Sequence, residues 1–318
     1  MSLSVAIQMD PIDNVNIDAD STFAMALEAQ RRGHRLWHYL PQDLTFDAGV
    51  VRAAARPLSV RAAQGDHFTL GDSEKLDLAN VDVVLMRQDP PFDMGYITAT
   101  HILEHIHPDT LVVNDPFEVR NAPEKLFVTH FIDFMPPTVI TSRREDIEAF
   151  RRDHRDIIVK PLFGNGGAGV FHLKPDDENL GALLEMFTQM YREPVIVQKY
   201  LPEIRQGDKR IILIDGEPAG AVSRIPADGE SRANFHAGGR ADRADLTDRE
   251  RAICERLGPE LRKRGLIFVG IDMIGDYLTE INVTSPTGIH EINRLNGVKL
   301  EANLWDAIEA RKAEAPKA

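Results

Sequence analysis

The sequence predicts an α/β fold that begins with an open parallel sheet and turns α+β in its second part, and three observations carry that reading. In the first third, short apolar runs alternate with helical stretches, the order that builds parallel sheets. Beyond Asn121-Ala122-Pro123 the period changes and the strands crowd together. Near the end, Leu266 to Gly288 reads as two short apolar strands carrying charges inside them.

The 318 residues suffice for two ordinary domains, or three small ones sharing interfaces. The expected division is residues 1–122, 123–199 and 200–318. A net charge of −13 argues against nucleic acid or an anionic membrane as partner, so anionic substrates require basic residues concentrated locally. The single cysteine, Cys254, excludes an intramolecular disulfide and fits a reducing compartment. No signal pattern opens the chain, and no apolar run approaches the ~20 residues that span a bilayer. A soluble cytoplasmic protein is expected.

In chain order, Leu3–Met9 is a buried strand ending at Asp10-Pro11. Ser21 is placed to cap a helix over Thr22–Arg32 that stops at Gly33, and His34–Tyr39 is the next strand. No Gly-x-Gly-x-x-Gly follows the first strand, which argues against a dinucleotide site there. Strand Val81–Met86, helix Ile97–His107 and strand Leu111–Asn114 complete the unit. Ligands of open α/β sheets bind outside the carboxyl ends of the strands, where Asp10, Arg87, Asp89 and Asn114 fall.

In the second part, strand Asp156–Lys160 delivers Lys160 to a loop holding Gly164, Asn165, Gly166, Gly167, Ala168 and Gly169. Such glycines let backbone N–H groups approach phosphate oxygens, while Lys160 neutralises charge. This is not a Walker A loop, because no Gly-Lys-Ser/Thr follows. Val170–Leu173 returns as a strand, followed by helix Leu180–Tyr191 and strand Val195–Lys199. Lys209–Ile214 and Pro218–Arg224 form a hairpin through Asp215-Gly216. Arg210 and Arg224 interrupt otherwise apolar strands, and a buried guanidinium needs an anion, from a ligand or from structural carboxylates. Pro226–Arg240 is long, Gly-rich and non-periodic, the character of a lid. Helices Thr247–Arg264 and Glu301–Lys312 follow on either side of the charged hairpin.

That hairpin joins Ile267–Ile274 to Leu278–Val283 at Gly275-Asp276. Asp272, Glu280 and Asn282 supply two carboxylates and an amide oxygen, a set suited to Mg²⁺; a salt-bridged hairpin is the alternative. The Ser285-Pro286-Thr287-Gly288 turn adds hydroxyls and N–H groups beside them and favours the metal reading. Parity tests it. A regular hairpin with a two-residue turn opposes Asp272 to Thr279 and puts Glu280 and Asn282 on the far face. A shared cation therefore requires an odd-length loop or a bulge.

The Asn282-Val-Thr-Ser-Pro-Thr287 run, Met9-Asp-Pro-Ile12 and Met86-Arg-Gln-Asp-Pro-Pro-Phe-Asp93 resemble the bacterial-type glutathione synthetase family of the ATP-grasp ligases, with similar spacing from Met9 to Gly288. The resemblance implies an ATP-grasp fold behind an N-terminal substrate domain, with ATP as co-substrate and Mg²⁺, or Mn²⁺, as metal. Lys125 and Lys160 match the family's two nucleotide lysines. By the same resemblance Lys199, Tyr200 and Leu201 read the adenine edge through their backbone, and Asp208 lies near the ribose. Arg232, Asn234 and Gly238-Gly239 resemble the family's mobile loop, which makes Asn234 and Gly239 catalytic candidates with Arg210 and Arg224. Arg87, Asp89, Asn282, Ser285, Pro286 and Thr287 are the expected substrate contacts, with Arg87 either touching the ligand or bracing its loop. Two residues depart from the pattern: Gln88 replaces a common Lys, and His290 replaces Arg. The implied reaction joins γ-glutamylcysteine and glycine through an acyl phosphate, in a homo-oligomer because the family is often tetrameric. The alternatives are another ATP-grasp ligase, such as a glutamate-adding or D-alanine ligase, and a non-catalytic ATP-binding regulator. If Pro226–Arg240 is a lid, ATP with substrate will slow its proteolysis; equal cleavage with and without ligands removes the lid.

Overall fold

The structure is a computed structural model and describes residues 2–227, 233 and 238–314. Its strands form three sheets. The first is built from β1 (Ser4–Gln8), α1 (Ser21–Arg31), β2 (Arg35–Tyr39), β3 (Leu44–Asp47), β4 (Val50–Val60), β5 (Phe68–Leu70), β6 (Glu74–Asp77), β7 (Val83–Met86), α2 (Met94–Glu104) and β8 (Leu111–Val113). Strands β2, β1, β7 and β8 run parallel, as their apolar runs predict. Beyond β2 the sheet becomes antiparallel, because β4 pairs with β2 and carries β3, β5 and β6. The sheet is therefore mixed rather than parallel throughout. In β4 the residues turned inward include Val51, Ala53, Ala55, Leu58 and Val60, and the two alanines weaken the period-two signal.

Two helix starts differ from expectation. Asp20, not Ser21, caps α1, its carboxylate accepting from the Phe23 N–H at 2.6 Å. Asp93 caps α2 and starts it at Met94. In both cases a carboxylate just upstream satisfies an otherwise orphaned helical N–H.

Helices α3 (Pro116–Asn121) and α4 (Glu124–Phe127) lead into the second sheet. It comprises β9 (Thr138–Thr141), α5 (Arg144–His154), β10 (Ile157–Pro161), β11 (Phe171–Leu173), α6 (Leu180–Met190) and β12 (Val195–Lys199), with strand order β11-β10-β12-β9. The third comprises β13 (Asp208–Ile214), β14 (Glu217–Ile225), β15 (Arg240–Arg243), α7 (Asp248–Lys263), β16 (Phe268–Ile274) and β17 (Tyr277–Asn282), in the order β15-β14-β13-β16-β17. Both of these sheets are antiparallel. The β13–β14 turn places Asp215 and Gly216 at φ +48° and +77°, the left-handed pair of a type I′ hairpin. Helices α8 (Ile289–Asn296) and α9 (Leu300–Glu314) follow, and α9 packs on α1 of the first unit.

Asn114 joins the first sheet to the third, and α9 joins the C-terminal part to α1. The Asn114 side chain donates to the carbonyls of Phe268 and Val283 at 2.8 and 2.7 Å and accepts from the Phe268 N–H at 2.8 Å. Asn114 is thus fully used as a structural clamp, although its place after a strand first suggested a ligand contact. On α9, Trp305 is fully buried and its indole N–H donates to the Met25 carbonyl at 2.8 Å. Among the described residues no helix is long and apolar enough to cross a membrane.

Trp305→Ala should cost about 3–5 kcal/mol of unfolding free energy, the usual range for emptying a buried aromatic site. Urea denaturation checks this, and a loss below ~1 kcal/mol would show that α9 is not part of the cooperative core.

Candidate active site

The β16–β17 hairpin keeps a two-residue turn, with Ile274 opposite Tyr277 and Met273 opposite Leu278. Gly275 takes φ +55° at the first turn position, as a II′ turn requires. The register then shifts, so that Asp272 faces Glu280, and Gly270 faces Asn282. Thr279 is the extra, bulged residue, and its hydroxyl donates to the Asp272 carbonyl at 3.0 Å. The bulge, one of the two devices that parity demands, brings Asp272, Glu280 and Asn282 to one face, where all three line a cleft of about 390 Å³.

Register also places the arginines. Arg210 of β13 lies opposite Asp272 of β16, and Asp208 of β13 lies opposite Arg224 of β14. Residues 208 and 210 share a face, so the four side chains meet over one side of the sheet. The Arg210 guanidinium grips Asp272 in a fork, Nε to Oδ1 at 2.5 Å and Nη2 to Oδ2 at 2.8 Å. Arg224 grips Asp208 in the same way at 2.7 and 2.6 Å, and its Nη2 lies 3.0 Å from Asp272 Oδ2. Burial opposes ionisation of Asp272, but Arg210 and Arg224 together hold its carboxyl well below the usual range.

Across the cleft, β10 contributes Lys160, whose ammonium lies 3.4 Å from Glu280 Oε1; Lys125 of α4 lies 3.5 Å from the same oxygen. Burial pushes the Glu280 pKa up, and the two lysines overcome it and hold the carboxyl low. Burial pushes Lys160 down despite Glu280. Glu124, partly buried, touches the Lys125 ammonium, and burial together with Glu280 raises its pKa to about 7.

The glycine-rich loop forms one wall. Gly166, Gly167 and Gly169 take φ +58°, +76° and +70°, where a side chain is strained. Gly164, Asn165, Gly166, Gly167 and Ala168 line the cleft; Gly169 does not. Lys199, Tyr200, Leu201, Asp208, Asp89, Ser285, Pro286 and Thr287 also line the cleft.

Arg87 is absent from the lining. Its buried guanidinium donates from Nε to Thr22 Oγ1 at 3.1 Å and from Nη2 to the Pro286 carbonyl at 3.2 Å, bracing the 285–287 turn from behind. Gln88 is buried and hydrogen-bonded to Gln8, so the departure from Lys is absorbed by an amide pair. The His290 ring lies 3.0 Å from the Asp20 carbonyl and joins α8 to the start of α1. Gly239 is not part of the cleft wall, and Arg232 and Asn234 lie outside the described residues. From the same loop, Ala233 is buried and lines the cleft. The sequence reading missed Glu124, Thr279 and Thr284 as lining residues. Glu124 looks like an ordinary first-turn acid, and only its neighbour Lys125 hints otherwise.

Among the described residues no group of three His, Cys, Asp or Glu side chains is arranged to hold a metal. A cation at the hairpin would have Asp272 and Glu280 as its charged ligands and Asn282 as a neutral one. That sparse oxygen set fits Mg²⁺, which keeps water and takes phosphate oxygens for the rest.

The Asp272→Asn variant should be about 3 kcal/mol less stable, because Arg224 keeps Asp208 while Arg210 loses its buried counter-charge. Since the Asp272 carboxyl is depressed in the fold, its contribution is complete above the unfolded value of ~3.9 and fades as pH falls through the folded value. Urea melts at pH 7 and pH 3 check this; a stability gap between wild type and variant that widens on acidification contradicts the ion-pair assignment.

Two family models cover nearly all of the chain: the prokaryotic glutathione synthetase N-terminal domain at residues 3–120 and the prokaryotic glutathione synthetase ATP-grasp domain at 124–297. A glutathione synthetase from Brucella melitensis is 60% identical, covering 98% of this chain and 100% of that protein. One from Escherichia coli O157:H7 is 47% identical over 97% of this chain and 99% of its own. Among solved structures, the D-cycloserine synthetase DcsG superposes with TM-score 0.68 at 15% identity over 97% of this chain and 99% of its own. D-alanyl-alanine synthetase A from Vibrio cholerae gives 0.62 at 12% identity, covering 98% and 99% of the two chains. At these identities the two structures establish a shared fold.

Proposed function

Because the chain belongs to the prokaryotic glutathione synthetase family of ATP-grasp ligases, we propose that it joins γ-glutamylcysteine to glycine using ATP. The observation that supports this most is the convergence of Lys125, Lys160, Arg210 and Arg224 on one cleft, beside a glycine-rich loop. Phosphoryl transfer needs charge neutralisation and alignment more than a protein nucleophile. Cys254, buried on α7 with its thiol pushed up to about 12 by burial, is no candidate nucleophile.

The cysteinyl carboxylate attacks the γ-phosphorus, and the bond to the bridging oxygen breaks to release ADP. The glycine amine then attacks the acyl phosphate carbon, inorganic phosphate leaves, and the amine gives up a proton as the amide forms. Lys160 and the N–H groups of residues 164–168 bind the triphosphate, and Tyr200 and Leu201 border the base. Arg210 sits where negative charge develops between nucleotide and acyl donor, with Arg224 holding Asp208 and Asp272 in place. Asp272, Glu280 and Asn282 would hold Mg²⁺, or Mn²⁺ with the same taste for oxygen ligands, and such an ion would screen the phosphates and polarise the transferred group. The Ser285-Pro286-Thr287 turn and Asp89 bound the acyl donor, with Arg87 acting on it from behind through Pro286.

ADP release measured across a panel of dipeptides and amines tests the substrate assignment. Turnover should require γ-glutamylcysteine and glycine together, and equal turnover with D-alanine pairs overturns it. Arg210→Ala should lower kcat by about 10²–10³, the scale of losing one transition-state donor, with a much smaller rise in KM for ATP. Unchanged kcat with weakened ATP binding makes Arg210 a nucleotide clamp.

A further inference from the structure

The two lysines that face Glu280 are not equivalent. Among the described residues, the Lys160 ammonium meets Glu280 alone, at 3.4 Å. The Lys125 ammonium meets three oxygens on three elements: the Glu124 carboxylate on α4, the Gly164 carbonyl at 2.6 Å, and Glu280 on β17 at 3.5 Å. Two of the ammonium's three donors are thus hydrogen-bonded, to Glu124 and to the Gly164 carbonyl, and Glu280 is an ion-pair partner at 3.5 Å. Lys125 is also buried, and burying such a group is tolerable only with its partners in place.

Gly164 opens the glycine-rich loop. A Cβ at Gly164 would lie 2.6 Å from Pro161 Cγ, so the chain doubles back tightly here. On the other side of this point, Phe163 stacks with Phe92 of the first unit, ring centres 6.3 Å apart and planes 24° apart. The loop base is therefore held from two directions, by an ammonium and by a ring, while the glycines beyond it keep their freedom.

We propose that Glu124 is a positioning residue that fixes Lys125 on the Gly164 carbonyl and thereby seats the base of the glycine-rich loop before nucleotide arrives. Without its carboxylate the ammonium would be drawn to Glu280 alone, and the carbonyl of Gly164 would lose its charged donor. The proposal rests on the reading of that loop as the nucleotide loop, and it gives Lys125 a task in the nucleotide-free protein, holding the wall at Gly164, in addition to the place it shares with Lys160 in the cleft.

Amide hydrogen exchange over residues 162–170 in the nucleotide-free protein tests this without any turnover. Glu124→Ala should speed exchange there about tenfold, the size expected for losing one charge-assisted hydrogen bond, while the strands of the third sheet stay protected. Glu124→Gln, which keeps an acceptor oxygen, should restore most of the protection. Lys125→Met should match Glu124→Ala, and the double variant should be no worse than Lys125→Met, because both act through one contact. In steady-state assays Glu124→Ala should raise KM for ATP by more than it lowers kcat. Unchanged loop exchange in Glu124→Ala overturns the proposal, as do additive effects in the double variant. Loss of exchange protection with the ligase reaction absent from wild type would sink the function assigned above and leave the loop seat standing.

Discussion

The cleft depends on charge balance in a place poor in water. Lys125, Lys160, Arg210 and Arg224 face Glu124, Asp208, Asp272 and Glu280, four cations against four acids on the walls of one cavity. Isolated, any of these charges would be costly to bury; arranged in forks and pairs they hold one another in place, and the cations keep Asp272 and Glu280 well ionised. A chain carrying a net charge of −13 can present cations to an anionic substrate only by such local concentration. The same pairing sets a condition on the chemistry. The carboxylates that would hold a cation are engaged by the cations that would meet phosphate, so a ligand carrying both metal and phosphate offers each side a replacement partner at once.

Strand parity organises this network, and parity was legible in the sequence. The spacing of Asp272, Glu280 and Asn282 around Gly275-Asp276 required an odd-length loop or a bulge for a common face, and Thr279 supplies the bulge. The parallel strands, the strand-terminal Lys160 and the glycine-rich loop could likewise be read from apolar runs bounded by turn residues. Alanine defeated the reading of β4, since Ala53 and Ala55 face inward without announcing a strand. Competition among nearby acids and hydroxyls defeated the cap of α1, where Asp20 reaches the Phe23 N–H and Ser21 enters the helix.

Residues whose role is set by what lies behind them were only half legible: Arg87 could be read as a ligand contact or as a loop brace. Arg87 looked like a ligand contact because it follows a strand, but its partners, Thr22 and the Pro286 carbonyl, come from distant parts of the chain. Glu124 was unremarked for the opposite reason, since its importance comes from a carbonyl 40 residues away rather than from its own motif. Sequence spacing reports neighbours along a strand or helix; it does not report which backbone carbonyl a folded loop will present.

The Asn114 clamp has a mechanical meaning. One amide spends both N–H groups and its oxygen on β16 and on the exit of β17, so the first and third sheets share a rigid joint at the point where their backbones approach. Sliding one past the other would strip three bonds at once. The second sheet meets its surroundings at the cleft through side chains, the Lys125 ammonium on the Gly164 carbonyl and Phe92 against Phe163. In the language of linkages, the Asn114 joint makes one frame of the first and third sheets.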